Sequence, residues 1–269
     1  MNAVSHTFED ASLAAITPSP WFPGFSPCTD GLPVLFCFSY AGGSAETFWT
    51  WQEALASTAR ICPVELPGRG RRYSEPFIDS VGSCVKAVAR DIARIKPDAS
   101  YFFGHSLGSI LALETVKELI QVHEYTPRVL IVSGRHAPHV KPETRNISSA
   151  ADEVVTEELR RLGGTPEELL NDPDLLDFIL PIVRQDFALI ERHQARLSPV
   201  EDLPVHVCCG EADPDVPLEI LSRWAEVTTG ECKVRTFKGG HFYIDESRDA
   251  LLDHIISILR DHEARRRFA

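Results

Sequence analysis

From residue 32 onward, short apolar runs alternate with stretches in which apolar residues recur every three or four positions. Runs at 33–39, 60–66, 100–104, 128–133, 205–209 and 233–238 have strand length and end at Gly, Pro or polar residues, which predicts six strands. Between them, residues 45–57, 80–95, 107–123, 218–227 and 248–259 read as helices. In the second of these, Val81, Val85, Val88, Ile92 and Ile95 fall on one face. Ser44 is placed to cap the first. Strands alternating with helices predict an α/β fold, with a mainly parallel central sheet covered by helices on both faces. One stretch departs from the alternation. Residues 139–199 hold helices and no strand, carry acidic pairs such as Glu157-Glu158 and Glu167-Glu168, and read as a helical insertion. Within it, Asn171-Asp172-Pro173 marks a helix start with proline at the first helical position, and Pro181 predicts a kink. Residues 1–32 are irregular, and Trp21 and Phe22 are expected to pin that segment to the body. There is no repeat and no low-complexity tract, and the whole of 1–269 is expected to be a single domain.

Composition narrows the function classes. A chain of 269 residues with 43% hydrophobic and 25% charged residues can bury a full core without disulfide or metal staples. The formal net charge of −12 excludes a general affinity for nucleic acid, which needs a basic face. The ten His are scattered without paired zinc-ligand spacing. Of seven Cys, Cys37, Cys62, Cys208 and Cys209 lie in apolar runs, as buried free thiols of a cytosolic protein do. The N-terminal residues lack a signal pattern, and no apolar run reaches the roughly 18 residues of a membrane span. A cytoplasmic location without membrane attachment is therefore expected, and Asn146-Ile147-Ser148 is a chance match to a glycosylation acceptor.

The chemistry enters at Gly104-His105-Ser106-Leu107-Gly108, a G-x-S-x-G pattern between a strand-like and a helix-like run. A serine at a sharp strand-to-helix turn is lifted above the sheet edge as a nucleophile, and only Gly two before and two after lets the neighbouring backbone pass. Ser106 is the expected nucleophile of an α/β-hydrolase fold. Such a chain orders Ser, then acid, then His. His241, in Gly239-Gly240-His241 after the last strand, is the expected base, and His105 is expected to point away from the reaction. The acid should follow the preceding strand, where Glu211, Asp213 and Asp215 are all available. Pro214 fixes the turn after Asp213 and favours it, with Asp215 the alternative. Two backbone N–H groups should form an oxyanion hole. Leu107 should supply one, and the loop Tyr40-Ala41-Gly42-Gly43 the other, through Ala41 or else Gly42.

Several of these segments together resemble the type II thioesterases, the free-standing editing enzymes of polyketide and nonribosomal peptide synthases. Phe38-Ser39-Tyr40-Ala41-Gly42-Gly43-Ser44-Ala45 is similar to that family's first-strand loop, and Glu65-Leu66-Pro67-Gly68-Arg69-Gly70 to its next loop. Ser133-Gly134-Arg135 with Ala137-Pro138 resembles the entry to its lid, and 210–214 and 239–242 its acid and base loops. The resemblance spans 33–259. Ser39 stands where the family usually has Pro, Leu107 where it often has Met, and Glu191-Arg192-His193-Gln194 replaces an aromatic ending. Thioesterase domains built into synthases often carry the acid after the strand that follows the nucleophile helix. Here that position is Ser133-Gly134, so the resemblance also points to Asp213.

The resemblance implies hydrolysis of acyl groups from the phosphopantetheine arm of acyl or peptidyl carrier proteins through an acyl-Ser106 intermediate, by a monomer, with no metal or cofactor. It makes 139–199 a lid. Leu175, Leu176, Phe178, Ile179, Ile182, Val183 and Phe187 would then line an acyl pocket or simply pack on the core. Arg69, Arg71 and Arg72 are candidates to meet the acidic carrier, or else a solvated charge run. A small-molecule carboxylesterase or acyltransferase would use the same triad, and a non-catalytic hydrolase-fold binding protein would not need it.

Overall fold

Each of the six apolar runs forms a strand in the computed structural model, which describes residues 19–26, 31–140 and 145–267. The expectations for 1–18 and 27–30, with Pro18, Pro27 and Cys28, lie outside the described residues. The strands are β1 (Val34–Phe38), β2 (Arg60–Val64), β3 (Ser100–His105), β4 (Val129–Ser133), β5 (Val205–Gly210) and β6 (Cys232–Phe237), all within about two residues of the pattern. They pair in parallel throughout, in the order β2-β1-β3-β4-β5-β6.

The pleat explains the alternation. Val34, Phe36 and Phe38 of β1 enter one core with Phe102 of β3, while Leu35 and Cys37 enter the opposite core with Tyr101 and Phe103. Because both faces are covered, the central strands read as continuous apolar runs. Pro63 is tolerated because β2 is an edge strand. β6, the other edge, is largely exposed. The six described cysteines are free, as expected. Trp21 and Phe22 are buried, so the described part of the N-terminal segment is indeed pinned to the body.

The helices are α1 (Glu46–Trp49), α2 (Gln52–Leu55), α3 (Val81–Ile95), α4 (Leu107–His123), α5 (Asp152–Leu162), α6 (Glu167–Leu170), α7 (Pro173–Arg192), α8 (Tyr243–Glu246) and α9 (Arg248–Arg267). The single helix expected over 45–57 is two short ones, and Ser44 caps neither. The helix expected at 218–227 is a 3-10 helix, and α9 runs past 259. Ser80 caps α3 by accepting from Ser83 N–H at 3.1 Å. Asp172 caps α7 ahead of Pro173, and α7 continues as one element through Pro181. α5 to α7 follow β4, and Ile147, Val155, Leu159, Leu170, Leu180 and Val183 give them a small core of their own.

Candidate active site

Four loops reach the carboxyl edge of the sheet, where an open parallel sheet builds its sites. They follow β1, β3, β5 and β6. The β3 loop is the sharp turn at Ser106, whose φ of 54° and ψ of −114° place a non-glycine residue in the strained positive region. The two glycines are sterically required. A Cβ on Gly104 would lie 2.1 Å from the Gly108 carbonyl oxygen, and one on Gly108 would lie 2.0 Å from the Phe38 carbonyl oxygen of β1. Ser106 opens α4, so its hydroxyl sits at the positive end of a helix dipole.

The turn is anchored to β4. Ser106 N–H donates to the Ser133 carbonyl at 2.8 Å. Ser109 Oγ shares its one hydrogen between the Gly104 and Ser133 carbonyls, at 2.8 and 2.9 Å. Ser133 Oγ bridges His105 Nδ1 at 2.8 Å and Tyr243 Oη at 2.6 Å. Burial holds His105 well below the ordinary histidine pKa, with His241 adding to the effect, so its ring is neutral. The ring, expected to point away from the reaction, is wholly buried and bonded to Ser133, yet its centroid lies only 5.1 Å from that of His241.

His241 follows β6 and Asp213 follows β5. Their contact is a hydrogen bond of 2.8 Å from His241 Nδ1 to Asp213 Oδ2. A carboxylate only accepts, so Nδ1 carries the hydrogen and Nε2 is left free to take a proton. Asp213 Oδ1 in turn accepts Asp215 N–H at 2.9 Å. The other two carboxylates of this loop are turned elsewhere. Asp215 pairs with Arg161 at 2.7 Å and Arg145 at 3.6 Å. Glu211 meets Thr236 Oγ1. No hydrogen bond joins Ser106 Oγ to His241 among the described residues; in substrate-free sites this contact is commonly long and tightens on binding.

The β1 loop separates Ala41 from Gly42. Gly42 N–H donates to Asp186 Oδ2 at 2.8 Å. It is therefore occupied, whereas the Ala41 and Leu107 N–H groups have no protein acceptor among the described residues.

Two arginines correct the sequence reading. Arg69 is buried and holds Asp186 by a two-pronged ion pair at 2.5 and 2.7 Å. Arg72 is also buried, bonded to Glu75 and to the Glu65 carbonyl and lying over the Trp21 ring. Their charge is used internally, and only Arg71 of the three is exposed. Asp186, Ser109 and Tyr243 were not among the sequence candidates, and Arg69 was one only for the carrier surface. Asp186 alone carried a signal. It lies three and four residues after Val183 and Ile182, a charge set in an apolar stripe.

The helices after β4 touch these loops. Val183 Cγ2 lies 3.0 Å from where a Gly42 Cβ would be, and Gly164 packs against the Phe242 ring beside His241. Leu175 and Phe178, expected to face inward on α7, are exposed. Phe178 stacks on Tyr73 at 5.0 Å along a groove of ≈ 500 Å³ that includes Phe77, Pro181 and Ile182. No group of three or more His, Cys, Asp or Glu residues suited to a metal ion occurs among the described residues. No described helix is long and apolar enough to cross a membrane.

The thioesterase domain family model matches residues 33–259. Thioesterase PikA5 of Streptomyces venezuelae is 36% identical over 230 residues, covering 84% of this chain and 80% of its own. Among solved structures, the RedJ thioesterase of prodiginine biosynthesis in Streptomyces coelicolor superposes with a TM-score of 0.80 at 34% identity, over 89% of this chain and 95% of that one. The type II thioesterase BorB of the borrelidin biosynthetic cluster gives 0.80 at 32% identity, over 89% and 97%.

Proposed function

Because this chain belongs to the thioesterase domain family, and so hydrolyses thioesters, we propose that its substrates are acyl groups on the phosphopantetheine arm of acyl or peptidyl carrier proteins. The setting is editing or release in polyketide or nonribosomal peptide synthesis. The likeness to PikA5, RedJ and BorB supports this choice of substrate. The observation that carries the chemistry is the buried Asp213–His241 hydrogen bond, with the His241 ring 5.1 Å from that of His105, the residue before the positive-φ Ser106.

Ser106 Oγ attacks the thioester carbonyl while His241 Nε2 takes its proton. The N–H groups of Ala41 and Leu107 hold the oxyanion. The C–S bond breaks, and the pantetheine thiol leaves with the proton from His241. A water then gives its proton to His241 and attacks the acyl-serine carbonyl; the bond from the carbonyl carbon to Ser106 Oγ breaks as His241 returns that proton to Oγ, freeing the acid and Ser106. Residues 139–199 act as the lid of a single α/β-hydrolase domain, a role supported by the contacts of Val183, Asp186 and Gly164 with the site loops.

The test has two arms. A serine-reactive fluorophosphonate should label wild type and leave Ser106→Ala unlabelled; an unlabelled wild type would favour a non-catalytic binding protein. With one acyl group, kcat/KM on carrier protein should exceed that on N-acetylcysteamine, because binding energy from the carrier and the arm is realised at the reacting carbonyl. Equal values, or faster turnover of simple esters, would favour a carboxylesterase.

A further inference from the structure

We propose that Asp186, on α7, is a positioning residue for the oxyanion hole, and that through it the helical segment, besides covering the site, assembles part of the site. This rests on the acyl-transfer reading above and assigns that site a further residue. Asp186 is wholly buried. Its Oδ2 accepts Gly42 N–H at 2.8 Å and Arg69 Nη1 at 2.5 Å, and its Oδ1 accepts Arg69 Nη2 at 2.7 Å. Arg69 Nη1 also donates to the Gly43 carbonyl at 3.1 Å. The Ala41–Gly42 peptide is therefore gripped by the carboxylate through its N–H, and the Gly43–Ser44 peptide by the guanidinium through its C=O.

Two consequences follow for the adjoining residue. First, Gly42 N–H is taken, which leaves Ala41 N–H as the donor of this loop that can meet an oxyanion. Second, the direction of the Ala41 N–H depends on how its neighbour is held. Gly42 adopts φ +82° in a turn closed by Gly43 N–H on the Tyr40 carbonyl at 2.9 Å, and glycine's freedom leaves the aim of that turn to an external anchor. That anchor comes from a helix 144 residues further along the chain. A movement of α7 that carried Asp186 away would release the loop, so the oxyanion hole is complete only while α7 is seated.

A buried ion pair can also be purely structural, since breaking one leaves an uncompensated charge. Two double variants separate the possibilities. Arg69→Met with Asp186→Asn removes both charges but keeps an amide oxygen that can accept Gly42 N–H. Arg69→Met with Asp186→Leu removes the charges and that acceptor. Fluorophosphonate labelling and turnover by wild type establish first that the acyl-transfer reading holds; if they fail, that reading fails and not this one. Both forms lose the Arg69 grip on the Gly43 carbonyl, so the Asn form is the reference for the Leu form. The Leu form should fall about tenfold or more below the Asn form in kcat with KM little changed, as expected when transition-state donors are misaimed. Its affinity for an acyl trifluoromethyl ketone, which needs the same hole, should fall by the same factor. Equal kcat in the two variants would overturn the proposal, as would loss of kcat without loss of ketone affinity. Failure of both variants to give a cooperative melt would make the pair structural and overturn it as well.

Discussion

Asp213→Asn tests the acid assignment most directly, and the surroundings of Asp213 determine how it should fail. The side chain of Asp213 is fully buried, so water cannot fill in for a lost bond. One carboxylate oxygen accepts Asp215 N–H at 2.9 Å and the other faces His241 Nδ1 at 2.8 Å. In the Asn variant the amide oxygen must stay on the Asp215 N–H, because the NH2 group cannot accept from it. The NH2 group is then turned toward His241. The ring must offer Nδ1 as an acceptor, which puts its hydrogen on Nε2, where it cannot take the Ser106 proton. A triad locked in the wrong tautomer loses about 10³ to 10⁴ in kcat, or about 4 to 5.5 kcal/mol of barrier at about 1.36 kcal/mol per decade. Asp215→Asn is the control. It removes a carboxylate that is 35% exposed and paired with Arg161, an interaction worth at most about 1 kcal/mol. It leaves the backbone bond to Asp213 intact, so kcat should stay within about threefold. Both are measured as kcat on an acyl-N-acetylcysteamine thioester, with thermal melts to show that the variants are folded. A mild Asp213→Asn beside a crippling Asp215→Asn would refute the reasoning.

Ser106→Ala should lose about 10⁴ to 10⁶ in kcat with the fold intact; more than about a tenth of wild-type activity would remove Ser106 as nucleophile. Ser106→Gly should be equally inactive yet at least as stable in a urea melt, because the positive φ at this position costs on the order of 1–3 kcal/mol for a residue with a Cβ; a clear drop in the midpoint would show that the turn is not strained. Gly108→Ala should destabilise by about 3 kcal/mol or more, since its Cβ would meet the Phe38 carbonyl oxygen at 2.0 Å with backbone on both sides; a near-native melt would contradict that approach. Burial holds His206 and His254 down to about 4, so below about pH 6.5 the unfolded chain takes up protons that the folded chain refuses. Stability should therefore fall as pH drops from about 6.5 toward about 4, and His206→Gln should flatten that slope; an unchanged slope would exclude His206 as a contributor.

What could be read from the sequence, and what could not, divides by the range of the interactions. The six strands were legible because a strand buried on both faces is a local run of apolar residues whatever it pairs with. Gly104 and Gly108 were legible because their steric requirement is imposed by backbone that any such turn brings close. Asp213 and His241 were legible because each follows a strand, and the order of strands in the chain fixes which loops meet at the sheet edge. The choice among Glu211, Asp213 and Asp215 was not settled by spacing, since one turn carries all three; what separates them is that Arg161 and Arg145, from the helical segment, draw Asp215 away. The arginine loop was misread for the same reason. Three arginines within four residues look like a basic patch until the partners are known. Arg69 finds its counter-charge 117 residues away on α7, and Arg72 lies over Trp21. Periodicity shows that a helix has an apolar face but not what that face meets, and Asp186 on the apolar face of α7 is where the difference matters most. A lone carboxylate in that stripe required a buried cation, and the sequence offered many arginines without indicating which one. The contact that completes the oxyanion loop was therefore the part of the candidate site least accessible to pattern. It joins two segments whose local sequences impose nothing on one another and which meet only because the helices after β4 fold back over the carboxyl edge of the sheet.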